Sequence, residues 1–228
     1  MMAVACGALA SAAWPARAQV GYTPEASPFR DVTFRQQLSA YTGWFVSPHD
    51  AAGVAPQSGP LLGARYDVSV GGPASFTLRL TRVFSQRDVI DPTKPVATRN
   101  LGTQSWPLYI ADAGLSINLT GRKSWHQLIP VLTGGAGIAS DLGKPTDVGG
   151  FRFGTTFAFS FGAGVRWVPG GHFQLRADLG DYLYQIQYPE SYFTKTSDST
   201  QVLGTGQSQG IWQHHAALTI GASYLFYR

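Results

Sequence analysis

The chain has 228 residues, enough for one domain, and 13% of them are charged, about half the share usual in a soluble globular protein. Aromatic residues also reach 13%, there are 27 glycines, and no apolar run attains the roughly 18 residues of a membrane helix, which excludes a helical membrane protein but not one built of strands. The formal net charge is +4, yet the Lys and Arg residues are scattered rather than gathered in a stripe, so nucleic acid is not an expected partner.

Residues 3–14 form a small apolar segment, and Ala16-Arg17-Ala18 ahead of Gln19 is an A-x-A cleavage site. The expected division is a signal peptide at 1–18, a leader at 19–30 carrying Pro24 and Pro28, and one strand-built domain at 31–228. A basic segment ahead of the apolar one is missing, so the start codon is expected upstream of Met1, or the chain is clipped. Cys6 falls in the part to be removed; a lipoprotein role is not expected, because Ala3-Val4-Ala5 lacks the usual leucine. The mature chain then has no thiol, hence no disulfide framework and no cysteine-based site.

Eight strands are predicted in order. The first covers 34–45. The second, 61–70, sets Leu62, Ala64, Tyr66, Val68 and Val70 against Gly63, Arg65, Asp67 and Ser69, and turns at Gly71-Gly72-Pro73. The third, 75–84, opposes Phe76, Leu78 and Leu80 to Thr77, Arg79 and Thr81. The fourth, 109–120, is the cleanest: Tyr109, Ala111, Ala113, Leu115 and Ile117 alternate with Asp112, Gly114, Ser116 and Asn118. The fifth, 128–139, is glycine-rich. The sixth, 157–167, sets Phe157, Phe159, Phe161, Val165 and Trp167 against Ser160, Gly162, Gly164 and Arg166, and Pro169-Gly170-Gly171 turns it into the seventh, 173–184, where Leu175, Ala177 and Leu179 oppose Arg176 and Asp178. The last strand carries Leu218, Ile220, Ala222, Tyr224 and Phe226 on one face.

Long polar connections at 47–60, 85–105, 140–154 and 185–210 follow every odd strand, and short turns follow the even ones. This predicts an all-β, eight-stranded antiparallel up-and-down barrel with both termini on the short-turn side, periplasmic if the barrel spans a bacterial outer membrane. An even strand number closes without leaving an unpaired edge in lipid. A lipocalin-like barrel with a greasy lumen is disfavoured: the apolar faces carry Phe, Tyr and Trp, while the polar faces carry Gly, Ser and Ala, which suit a narrow lumen. Trp44, Tyr66, Trp106, Tyr109, Trp125, Trp167 and Tyr224 fall toward strand ends, as interfacial rings do.

The eight alternating segments, the Leu128-Ile129-Pro130-Val131 stretch running to Gly137, and the closing run from His215 to Phe226 resemble outer-membrane β-barrel proteins of the eight-stranded class, similar to the transmembrane domain of outer-membrane protein A. The resemblance spans the mature chain and is one of pattern, not of a sharp motif. It implies outer-membrane lipid, lipopolysaccharide and the barrel-assembly machinery as partners, and a monomer without cofactor. Members typically end on an aromatic residue; here Tyr227 is followed by Arg228. No peptidoglycan-binding domain is expected after the barrel.

The candidate site is the lumen. Arg65, Asp67, Arg79, Asp112, Arg166, Arg176 and Asp178 share the inward parity and are expected to pair there, because a lone charge in a narrow low-dielectric interior costs several kcal/mol. The four arginines exceed the three aspartates by one, and Asp181, turned inward by a bulge at Gly180, is the expected makeweight. Arg82 breaks the alternation onto the lipid side and, with Arg87, Lys94 and Arg99 of the following loop, is a candidate contact for lipopolysaccharide phosphates. His214 and His215 point to opposite faces and do not form a metal site. Barrel enzymes that modify lipid A place a Ser two residues past such a His, where Ala217 stands here. The expected role is therefore structural or surface interaction through the long loops, with Tyr188, Tyr192 and Phe193 as a candidate contact surface, while the composition of 194–210 points to mobility instead. A narrow pore comes second and a lipid-modifying enzyme third.

Overall fold

The computed structural model describes residues 27–227. The signal peptide, its cleavage site, Cys6, most of the leader and Arg228 lie outside the described residues.

Among the described residues twelve strands form: β1 (Phe29–Asp31), β2 (Phe34–Val46), β3 (Gly59–Gly71), β4 (Ala74–Val83), β5 (Gln86–Ile90), β6 (Asn100–Ser105), β7 (Leu108–Asn118), β8 (Lys123–Trp125), β9 (Leu128–Ser140), β10 (Thr155–Gly170), β11 (Phe173–Gln187) and β12 (Gly210–Tyr227). Eight of them close on themselves in the order β2-β3-β4-β7-β9-β10-β11-β12, every neighbouring pair antiparallel, with β12 sealing back onto β2. The barrel and its eight strands fall where the alternation predicts.

Register keeps the two faces of the wall chemically distinct. The row Leu38, Tyr66, Leu78, Ala113, Ala136 runs outward across β2, β3, β4, β7 and β9, whereas the adjacent row Ser39, Arg65, Arg79, Asp112, Gly137 runs inward. Leu80, Leu179, Leu218 and Ile220 are 60 to 64% exposed on the outside, an apolar surface that needs a lipid partner rather than water. Trp44 and Trp212 stand at the long-loop end of this belt, and Trp125, Trp167 and Tyr224 at the short-turn end. The Gly71-Gly72-Pro73 turn needs its glycines, since Gly72 sits at a φ of +53°.

The sequence pattern reads the connections as long polar loops and short turns, and here the molecule adds strands. β5 and β6 pair into a hairpin inside the 85–105 connection. β8 forms in the turn after β7 and pairs with β1, so the end of the leader is tied under the barrel. β12 is the longest strand at 18 residues, and its pairing with β11 continues to Gly210 and Gln187 at the long-loop end, beyond its last pair with β2 at Ala216 and Val46.

Candidate functional site

The lumen is built in three layers. Nearest the short turns, Gln174 Nε2 donates to Gln37 Oε1 at 3.0 Å, and Ser39 and Ser223 hydroxyls meet at 2.7 Å across the β12–β2 seam. These polar side chains are short enough to fit a lumen that eight strands leave narrow.

The charged layer lies above them. Asp67 collects four partners: Arg65 Nη2 at 2.7 Å, Gln37 Nε2 at 2.8 Å, Arg176 Nη1 at 3.6 Å and the Thr77 hydroxyl. Arg176 also grips Asp178 with two bonds of 2.6 and 2.9 Å. Arg79 reaches Asp112 at 2.7 Å and donates to Ser160 Oγ at 2.7 Å. Like charges face each other twice, Arg65 opposite Arg79 and Arg166 opposite Arg176, an arrangement that is unfavourable by itself. The aspartates on the same or the next strand offset it.

Among the described residues Arg166 is the lumen cation that no carboxylate pairs with. It is buried, and its bonds go to Ser116 Oγ at 2.8 Å and Asn118 Oδ1 at 3.4 Å. Asp181 does not balance it. The β10–β11 and β11–β12 ladders run through Gly180 without a bulge, so Asp181 stays on the outer face and joins His214 at 2.6 Å. The expectation of an inward turn fails because an unbroken ladder satisfies every backbone group, which a bulge would not.

The third layer is aromatic. Tyr41 packs over Gly63 and bonds Thr81 Oγ1 at 2.6 Å; a Cβ on Gly63 would lie 2.3 Å from the Tyr41 ring, so the glycine makes the space that the tyrosine fills. Tyr184 stacks on His215 at 4.0 Å, and His215 on Phe45 at 5.5 Å. Ser47 Oγ lies 3.1 Å from His215 Nδ1. A cavity of about 30 Å³ remains between the charged and aromatic layers, room for about one water.

Above the barrel the long connections have a core of their own. Val54, Phe151, Tyr192 and Leu203 are completely buried and pack in one cluster with Phe45, Tyr184 and Ile186 of the wall. Asp50 accepts from the backbone N–H groups of Ala52, Val54 and Ala55 and from the Tyr188 hydroxyl at 2.9 Å, which links the first long connection to the fourth. Burial, with Asp50 beside it, raises the Tyr188 hydroxyl above its usual range. Asp147 accepts from the N–H of Gly149 and Phe151 and from Arg87 Nη1 at 2.9 Å.

The fold is similar to that of a solved barrel. No protein-family model matches the chain, and no curated protein matches it in sequence. The structure is similar to the outer membrane protein OprG from Pseudomonas aeruginosa, with a TM-score of 0.52 at 12% identity, the match covering 86% of this chain and 99% of that one. The chain has the fold of an eight-stranded outer-membrane β-barrel. Looser likenesses extend to Neisserial surface protein A (TM-score 0.47, 13% identity, 88% of this chain and 98% of that one) and to Ail, the attachment invasion locus protein of Yersinia pestis (0.41, 14%, 86% and 100%).

On this outer-membrane β-barrel the four predicted phosphate contacts separate. Arg82 is exposed on the outer wall, and Lys94 is exposed and 3.7 Å from Asp91. Arg87 and Arg99 are corrections. Arg87 is fully buried, bonded to Asp147 and sandwiched 4.1 Å from the Trp106 ring and 5.1 Å from Phe151. Arg99 is buried against the Thr200 hydroxyl. Both sit in the β5–β6 hairpin or beside it, and the neighbouring loops fold over them. Trp106 is likewise buried beneath Arg87 rather than placed at the lipid interface. Tyr188 and Tyr192 are buried too, which removes them as an exposed contact surface. The 194–210 segment, expected to be mobile, is held by Asp198, which accepts from the Val96 N–H at 2.9 Å, and by the Leu203 N–H bonding Tyr192 O at 2.9 Å.

Sequence reasoning missed Asp50 and Asp147 as the staples of the cap. A signal exists for each: an Asp followed two residues later by a small residue and then a turn, as in Asp147-Val148-Gly149-Gly150, is an Asx turn. Gln37, Thr77, Ser116 and Ser160 were missed as partners of the charged layer, although each shares the inward parity of its strand.

Proposed function

We propose that this chain is an integral outer-membrane protein, monomeric and without enzymatic activity, whose sealed barrel is the scaffold for a folded outer surface made by its four long loops. Both termini are then periplasmic, outer-membrane lipid and lipopolysaccharide surround the wall, and the barrel-assembly machinery inserts it. The observation that carries this reading is the loop core: Val54, Phe151, Tyr192 and Leu203 are buried above a lumen already filled by ion pairs and stacked rings. A conducting pore needs a continuous aqueous path, and a packed apolar core above a salt-bridged layer opposes one. A surface protein needs the reverse, loops whose shape persists in water, because a rigid surface binds without first losing conformational entropy.

Planar-bilayer recording on refolded protein tests the reading. Bilayers with inserted protein are expected to stay at background current, while the inserted protein migrates faster on gels unheated than boiled. Steady single-channel steps would overturn it in favour of a narrow pore.

A further inference from the structure

Arg82 is a charge on the wrong side of the wall. It is the penultimate residue of β4, at the long-loop end, with Leu62 and Tyr109 as its cross-strand neighbours. Its guanidinium lies 4.7 Å from the Phe84 ring centroid and 5.5 Å from that of Tyr109, and among the described residues no carboxylate pairs with it. Arg side chains bind phosphate as a planar fork, and two flanking rings hold this one in place without neutralising it.

The wall beneath Arg82 is hollowed. A row of cross-strand partners runs Ala222, Ala40, Ala64, Leu80, Ala111, Ile138 over six strands, and four of its members are alanines. The parallel row on the short-turn side is Tyr224, Leu38, Tyr66, Leu78, Ala113, Ala136, with large side chains over the same first four strands. The small row therefore lies as a trough beside a ridge. From Ala222 to Ala111 it spans roughly 19 Å at the usual strand spacing, the scale of an extended fatty acyl chain.

Two grooves result. One, of about 550 Å³, runs over Ala64, Leu80, Ala111 and Ile138 and has Arg82 and Tyr109 at its head. The other, of about 590 Å³, runs over Thr42, Leu175, Ile220 and Ala222. They share Ala40 and Leu62, so Leu62 stands between them, next to Arg82 in the register.

We infer that this face is a binding site for the phosphorylated, multiply acylated lipid anchor of lipopolysaccharide, with acyl chains in the two grooves and a phosphate on Arg82. The inference rests on the outer-membrane placement proposed above, which puts the long-loop end in the outer leaflet. Charge decides the occupant: a neutral lipid leaves Arg82 without a counter-ion, and a free phosphate leaves both grooves uncovered.

Native mass spectrometry of the detergent-purified barrel tests it with three probes: diphosphorylated lipid A, its dephosphorylated form, and phosphatidylglycerol. Retained lipid A is expected to exceed both others. Arg82→Ala and Ala111→Leu are each expected to lower it about tenfold, equivalent to about 1.4 kcal/mol. Arg82→Lys should retain part of the binding, and Ala113→Leu, one row outside the groove, should change nothing. Equal retention of phosphatidylglycerol, or lipid A binding indifferent to both Arg82→Ala and Ala111→Leu, overturns the site. Insertion into lipid vesicles and heat-modifiability are followed on the same samples. A chain that inserts without lipid preference refutes the site alone, and a chain that stays soluble without detergent refutes the membrane placement.

Discussion

Arg79 and Asp112 are direct cross-strand partners on the inner face of β4 and β7, and their side chains meet at 2.7 Å. Ser160 of β10 completes the contact by accepting from Arg79 and donating to Asp112 at 3.1 Å. Replacing Asp112 by Ala leaves Arg79 buried and uncompensated, and the barrel is expected to lose about 3 to 5 kcal/mol. Urea unfolding of the refolded protein in lipid measures it; an unchanged midpoint would mean that Arg79 is hydrated.

Arg87→Ala should loosen the cap and spare the barrel. The change removes the Asp147 ion pair and the stacking on Trp106, an expected local loss of about 3 kcal/mol. Limited proteolysis should then cut within 85–105 and 140–154 faster than in the parent, while the unheated gel band stays where it was. Cutting in the barrel strands instead would show that the cap and wall melt together.

Gly63→Ala should destabilise by about 1 to 3 kcal/mol, since the new methyl overlaps the Tyr41 ring. Combined with Tyr41→Ala it should cost less than the two changes added, because the methyl then enters vacated space. A double-mutant cycle from chemical unfolding gives the coupling, and strict additivity would disprove the packing account.

The Asp198 bond between the second and fourth loops should fail in acid. Hydroxyls of Thr196 and Thr200, with the Val96 N–H, hold this carboxyl well below its ordinary range in the folded loops. A carboxyl lowered on folding contributes stability above its unfolded value of 3.8, and that contribution disappears as pH falls further through the folded value. The Val96 amide resonance should stay fixed from neutral pH down to about 4 and move only below it. Movement centred at a higher pH would show that the loops do not hold Asp198 there.

Why the wall was legible and the cap was not is a matter of periodicity. From Leu218 to Tyr224 each outward side chain is apolar and each inward one small or polar, because lipid and lumen impose opposite demands every second residue. Arg65 and Asp67 are two apart on one strand, so their pairing is visible in the sequence. Arg79 and Asp112 meet only once register is known. Arg87 reads as a solvated loop cation, since its acid stands 60 residues further on, and isolated apolar residues such as Val54, Phe151 and Leu203 carry no period at all. Asp181 was misassigned because the count of lumen charges favoured it, while the ladder around Gly180 decided its side.

Asp67 gives the assembled wall a means of proofreading its own closure. Its contacts come from β2, β3 and β4 on one side of the β12–β2 seam and from Arg176 of β11 on the other. The strands made first hold the carboxylate, and a strand made late brings the second guanidinium across. A seam that joins two residues out of step carries Arg176 away from Asp67 and leaves it with Asp178 of its own strand as its acid. Misregistered barrels then lack this cross-seam ion pair, and only the aligned closure gives Asp67 its second guanidinium.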